Sequence, residues 1–230
     1  MTKSNITLYS GLALRNALVE HIIPSFTEGT GITVDATFEP TTVLIKLIDS
    51  GARPDVFIGV DGSVRAIAEA GVLQPSSVET VARSSIGYAV AAGAVAPEFA
   101  DGAAFLEYLL SARSVAYTRT GASGIAFSAS LERLGLAARI NERATVFESG
   151  FTAEALLDGR ADVAIQQMSE LASVAGVQVV GPVPAELQTY TTFAVGVGGT
   201  APKGAEQFAR CLSLAASVSA FADSGLETAQ

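Results

Sequence analysis

Residues 54–63 read PDVFIGVDGS, and the eight that follow read VRAIAEAG (64–71). The apolar run ending at Val60 predicts a buried strand; Asp61, Gly62 and Ser63 open a helix that Gly71 stops. Working outward, the same order of apolar run, small or polar turn, and helix recurs four times. It appears in ITLYS then GLALRN (6–16), TVDATF then EPTT (33–42), SVAYT then RTGASG (114–124), and DVAIQQ (162–167) leading into Met168, Ser169 and Glu170. In an open parallel sheet such turns stand at the carboxyl ends of the strands, where helix amino termini direct free N–H groups at a ligand. The pattern predicts a small-anion cleft in an α/β protein.

The remaining segments organise around these units. A strand at 6–9 precedes a helix with apolar spacing at Leu14, Leu18, His21, Ile22 and Phe26, ending near Pro24 to Gly29. The helix VLIKLIDSG carries Thr41 and Thr42 where an N-cap stands and Gly51 at its carboxyl end. From 78 to 95 the chain is extended, then a Pro-rich turn leads into a helix over 99–112. A helix is expected over 125–136, a short strand over 144–148 and a helix over 152–160. Strands over 177–199 return to the first lobe, and a single last helix spans 205–225. The expected division is lobe one from 1–82, lobe two from 83–191, and a return to lobe one over 192–230. A chain of 230 residues accommodates two such lobes of about 100 to 130 residues each.

Composition narrows the function. With 49% hydrophobic and 16% charged residues the chain is expected to pack a core. A net charge of −9, with 14 bases against 23 acids, argues against a nucleic-acid partner, which needs a basic face. Eleven of the bases are Arg, whose planar fork grips carboxylates. The single Cys211 excludes an internal disulfide and a thiolate cluster, and the single His21 excludes a multi-histidine site, so no metal and no cofactor is expected. His21, inside NALVEHIIPSF, reads as a helix-face residue rather than part of a catalytic triad. No run approaches the roughly 20 apolar residues of a membrane helix, so no membrane insertion is expected. Met-Thr-Lys-Ser-Asn leads straight into the first strand, which predicts a cytoplasmic protein as the sequence stands, or a periplasmic or extracellular one if an export segment has been trimmed. A monomer or weak dimer is expected.

This order resembles the type II periplasmic binding-protein fold, two lobes of mostly parallel sheet flanked by helices and joined by two hinge crossings. ITLYSGLALRNAL, KLIDSGARPDVFIGVD and LLDGRADVAIQQ are similar to the molybdate-binding branch. RSSIGYAVAAGA, SVAYTRTGASG, VVGPVPAELQ and the terminal SGLE resemble its subgroup that contains aconitate isomerase. The resemblance implies a cleft that closes on a small anion, either a polycarboxylate or an oxyanion such as molybdate. Molybdate binders present serine hydroxyls from the first two turns, where this chain carries Ala13 and Pro40 with Thr41.

Candidate ligand contacts are Ser10 and Gly11 in the first turn, Thr41 and Thr42 in the second, and Arg119, Thr120, Ser123 and Gly124 in RTGASG, where a base, hydroxyls and glycines precede a helix start. Gln166 or Gln167 ends a buried strand with one amide towards the cleft. Thr191, beside Tyr190 and Thr192, stands at the second crossing. Against these readings, Gly11 serves a tight turn, Thr41 and Asp61 serve as caps, and Glu170 stabilises a helix start. Three functions follow: an isomerase that shifts a double bond in an unsaturated polycarboxylate, a molybdate-type transport receptor, and a sensor domain. The isomerase needs a base, for which Glu39, Asp61, Glu170 and Tyr117 are candidates. A sensor would carry a helix-turn-helix ahead of Ile6, and none precedes it.

Overall fold

The computed structural model describes residues 5–97, 99 and 101–228. Residues 1–4, on which the expected localisation was read, lie outside them, as do position 98 and, within the helix expected over 99–112, position 100. The chain divides into two compact units, Met1–Arg83 with Thr192–Gln230, and Ser84–Thr191.

The first unit begins with β1 (Asn5–Ser10), whose Ile6, Leu8 and Ser10 are buried while alternate residues are not. A continuous helical run follows: a 3₁₀ turn at Leu12–Leu14, α1 (Arg15–Ala17), a π turn at Leu18–Ile22, and α2 (Ile23–Thr30). The sequence places the end of this helix between Pro24 and Gly29, and the end is found just past the later bound. The wider π turn accommodates a proline that has no N–H to give the preceding turn, and the helix runs on to Gly31, at φ 72°. The extra residue of that turn leaves His21 exposed, off the apolar face on which its spacing had placed it.

β2 (Thr33–Phe38), α3 (Thr41–Asp49), β3 (Val56–Val60) and α4 (Asp61–Glu69) complete the first three strand-and-helix repeats. β1 lies between β2 and β3, parallel to both, with Ser10 opposite Phe38 on one side and Ile58 on the other. Val56, Phe57 and Ile58 are wholly buried, each such side chain contributing about 1.5–3 kcal/mol by leaving water. β4 (Glu79–Ala91) carries the chain from the first unit into the second.

In the second unit α5 (Gly102–Ser111) is capped by Asp101, whose Oδ1 accepts from the Ala104 N–H at 2.9 Å. β5 (Val115–Thr118) and α6 (Ala122–Arg133) follow; α6 starts three residues before the predicted Ile125 because the RTGASG turn itself enters the helix. A short α7 (Ala137–Asn141), not foreseen in the sequence, precedes β6 (Thr145–Phe147), α8 (Glu154–Leu157), β7 (Val163–Gln167), α9 (Met168–Ala172) and β8 (Val177–Pro182). The strands lie in the order β8, β4, β7, β5, β6, with β5 parallel to β6 and β7, and β4 antiparallel to β7 and β8. β8 therefore lies in the second unit, inside the 83–191 span expected for lobe two; of the strands read over 177–199 as returning to the first lobe, it does not return. Its partner is the far half of β4, from Gly87 to Ala91.

β9 (Tyr190–Val197) makes the return, and its Phe193–Val197 pair antiparallel with β3. The terminal helix is two helices, α10 (Lys203–Cys211) and α11 (Ala215–Asp223). Leu214 takes an extended conformation (φ −73°, ψ 150°) between them, which interrupts the helix that composition alone would continue. β10 (Glu227–Thr228) closes on β4 at Arg83 and Ala82. Phe26 and Phe208 meet edge to face at 5.0 Å in this unit's core; Tyr88, Phe99 and Phe105 form an aromatic cluster in the other.

Candidate functional site

In the first unit the carboxyl ends of β1, β2 and β3 lie side by side, and a helical run starts immediately after each. Backbone bonds fasten this edge: the Gly11 N–H donates to Ile58 O at 2.9 Å and the Glu39 N–H to Ser10 O at 3.2 Å. Gly11 thus has no free N–H for an anion, and its φ of −58° asks for no glycine either, so neither reading drawn from the sequence describes it. Ser10 is fully buried and its hydroxyl donates to Gly11 O at 3.2 Å.

Thr41 has a different part from the predicted cap. Pro40 occupies the cap position of α3, and Thr41 is its first residue. Its buried Oγ1 accepts from the Val60 N–H at 3.2 Å, across from α3 to the end of β3. A hydroxyl that accepts one bond retains its own proton to donate, so Thr41 is a neutral, fixed donor where β3 ends and α3 begins. Gly59 makes room for it: a Cβ there would stand 3.0 Å from Thr41 Cγ2 and 2.8 Å from a Phe57 ring carbon. Thr42 follows, half-buried, in the first turn, where the Val43 and Leu44 N–H groups donate to Pro40 O at 2.8 and 3.1 Å.

In the second unit β5 ends at Thr118 and α6 begins at Ala122. Thr118 Oγ1 is buried without a hydrogen-bond partner, and it lies 2.6 Å from where a Cβ on either Gly121 or Gly124 would stand. At Gly124 a Cβ would also stand 1.8 Å from Thr118 O. These glycines are therefore required by close approach of α6 to the strand end. Ser123 is buried in that first turn. Arg119 is exposed: its Nε lies 3.0 Å from Glu148 Oε1, and its N–H donates to Phe147 O at 2.7 Å. Thr120 donates to Glu148 O.

Both strand-end glutamines are buried and bonded. Gln166 Oε1 accepts from the N–H and hydroxyl of Thr152, at 2.8 and 3.0 Å, while its Nε2 donates to Gly150 O at 2.8 Å. It thereby staples the loop after β6 to β7, a partnership the sequence did not indicate. The Gln167 amide lies 2.7 Å from Thr191 Oγ1. Turned over, it accepts from Thr191 and donates to Ser84 O and Ser85 O, each at 3.2 Å, satisfying every group involved. Thr191 is thus held beside Gln167, whereas Tyr190 is exposed.

The four candidate bases differ sharply. Asp61 is gripped by Arg65, at 2.8 and 2.9 Å, and accepts from Thr80; the guanidinium holds its carboxyl below the usual carboxylate range, and Val60 rather than Asp61 occupies the cap position of α4. Tyr117 is buried against Phe127 and donates to Asn141 Oδ1 at 2.6 Å, and burial raises its pKa further from neutrality. Glu39 is half-buried between β2 and α3. Glu170 is buried at the start of α9, where its Oε2 accepts from the Gln167 N–H at 3.2 Å, as the helix-start reading predicts. Burial pushes its carboxyl up to about 7, against the opposing influence of that N–H and the Gln166 amide.

Among the described residues no group of three His, Cys, Asp or Glu side chains is placed to hold a metal ion, and no helix is long and apolar enough to cross a membrane.

Comparison with known proteins agrees with this architecture. An aconitate isomerase from a Pseudomonas species is 25% identical over 217 residues, covering 91% of this chain and 82% of the relative. Among solved structures, the periplasmic molybdate-binding protein of Azotobacter vinelandii superposes with a TM-score of 0.81 at 19% identity, over 98% of this chain and 100% of the other. The sulfate-binding protein SubI of Mycobacterium tuberculosis gives 0.75 at 16% identity, over 99% and 88%. These likenesses show the type II periplasmic binding-protein fold. The profile of one family, described as bacterial extracellular solute-binding protein, matches residues 6–227. With nearly the whole chain matched, the protein belongs to that family of bacterial extracellular solute-binding proteins.

Proposed function

We propose that the protein binds a small unsaturated polycarboxylate and shifts its double bond. The observation that carries this reading is the placement of Glu170, a carboxyl buried where β7 ends and α9 begins, its Oε2 accepting from the Gln167 N–H at 3.2 Å; burial pushes it up to about 7, which suits a group that takes up and returns a proton near neutrality. Taken unit by unit, neutral donors stand at strand ends, the Thr41 hydroxyl in the first and the first turn of α6 in the second, and such groups suit an anion in an acidic chain. The relative named as an aconitate isomerase supports the same chemistry.

The reaction is a 1,3-proton shift. Ionised Glu170 takes a proton from the saturated carbon beside the double bond, and the electron pair moves through the double bond into a conjugated carboxylate. Glu170 then returns the proton to the far carbon, so the composition is unchanged and the double bond has moved. Donors placed where the dienolate charge develops lower the barrier. The test is conversion of trans-aconitate by the purified protein, followed by ultraviolet absorbance, with calorimetry alongside. Glu170→Gln should abolish turnover while binding persists; absence of both turnover and binding heat in the native chain would refute the proposal.

A second reading is favoured by the same donors, because neutral hydroxyl and amide groups without a guanidinium also suit a tetrahedral oxyanion. Calorimetry with molybdate and tungstate separates the two. Tight molybdate binding with no effect of trans-aconitate would establish a receptor.

A further inference from the structure

A groove of about 630 Å³ runs along the helical side of the first unit, between the π turn with α2 and the pair α10 and α11. None of its lining residues is among the strand-end donors described above. Its volume lies within the range of small-molecule sites. Two departures from regular helix shape it. The π turn widens one wall at Leu18–Ile22, and the break between α10 and α11 leaves Leu214 60% exposed on the other. Gly29, Ala216 and Ala220 line it with side chains too small to fill it.

We propose that this groove binds an amphipathic carboxylate, its apolar body on Ile22, Phe26 and Leu214 and its carboxylate on Arg210 and Gln207. These last two are three residues apart on α10 and so share one face of that helix. The nearest acid to Arg210, Glu206, stands at 4.0 Å, the outer limit of an ion pair, and the Arg210 side chain is 73% exposed. Its planar fork is therefore open to a carboxylate, with the Gln207 amide as a further donor. The opposite wall carries Glu20, which repels a carboxylate towards α10, and His21 stands beside it. Charge thus orients the ligand with its head on α10 and its body across the apolar floor.

Cys211, the chain's single cysteine, lines the same groove, half-buried, with burial raising its thiol to about 11. Its modification by a chromogenic disulfide reagent therefore reports on this groove alone. Octanoate should slow that modification saturably, also in the presence of saturating trans-aconitate. Arg210→Gln should raise the half-protecting concentration about tenfold, the loss of one charge-assisted contact. Ala216→Phe should fill the groove and abolish protection, while the urea midpoints of both exposed-site variants stay at the native value. A modification rate indifferent to octanoate would overturn the proposal. So would octylamine protecting as well as octanoate, or full protection persisting in Arg210→Gln.

Discussion

Replacing Glu170 by Gln isolates the energetic cost of a buried carboxylate in the second unit. Glutamine keeps the shape, and its Oε1 can still accept from the Gln167 N–H that Glu170 engages at 3.2 Å. What it removes is ionisation. Burial pushes the folded pKa up to about 7 from the ordinary carboxyl value of 4.5, so the folded chain holds this proton more tightly than the unfolded chain does. The sign follows: the carboxyl favours folding below pH 4.5, that contribution falls as pH rises, and it is gone once pH passes 7. At about 1.4 kcal/mol per pKa unit, native stability should fall by roughly 2 to 3 kcal/mol between pH 5 and pH 8 through this group alone. Urea unfolding of native protein and Glu170→Gln at both pH values measures it. The variant should gain on the native chain by that amount as pH rises, and its own profile should be flatter. Equal pH dependence in the two proteins would refute the assignment of a near-neutral pKa and remove the proton carrier from the proposed mechanism.

Gly124→Ala places a methyl 1.8 Å from Thr118 O, backbone against backbone, so α6 must move off β5; calorimetric unfolding should show a loss of roughly 3 kcal/mol. Thr41→Val keeps the volume but takes the acceptor from the Val60 N–H. It should cost about 1.5 kcal/mol in urea and speed hydrogen exchange at that amide, and it should weaken anion binding in calorimetry. Arg119→Ala breaks a pair in which both side chains are mostly exposed; a double-mutant cycle with Glu148→Ala should give a coupling below about 1 kcal/mol, with trans-aconitate affinity less affected than by Thr41→Val.

The repeated strand, turn and helix was legible because it is local. Val56–Val60 is an unbroken apolar run, Asp61 to Ser63 a polar turn, and Gly71 a stop at φ 79°, so a short window contains the whole instruction. Side-chain hydrogen bonding at the strand ends is not local. Whether Thr41 caps its own helix or reaches the N–H of Val60, nineteen residues further along the chain, depends on the parallel alignment of β1 with β3. Gln166 reads equally well as a ligand contact or a loop staple until Gly150 and Thr152 are brought beside it.

The helices show the same division. Pro24 marks a disturbance correctly, but the sequence alone does not distinguish a stop from a π turn, because the choice depends on packing: Ile22 and Phe26 both reach the core only if the helix continues past the proline. The break at Leu214 inverts that case, in a stretch whose composition favours helix throughout. Phe208, Leu212 and Phe221 are all buried in one core, and the extended Leu214 between the two helices lets both present these residues to it. Each irregularity is thus explained by burial of particular side chains, and each also forms a wall of the groove lined by Arg210 and Cys211. Core packing in this unit therefore creates the groove, and an amphipathic ligand would occupy space that regular helices with larger side chains at Gly29, Ala216 and Ala220 would close.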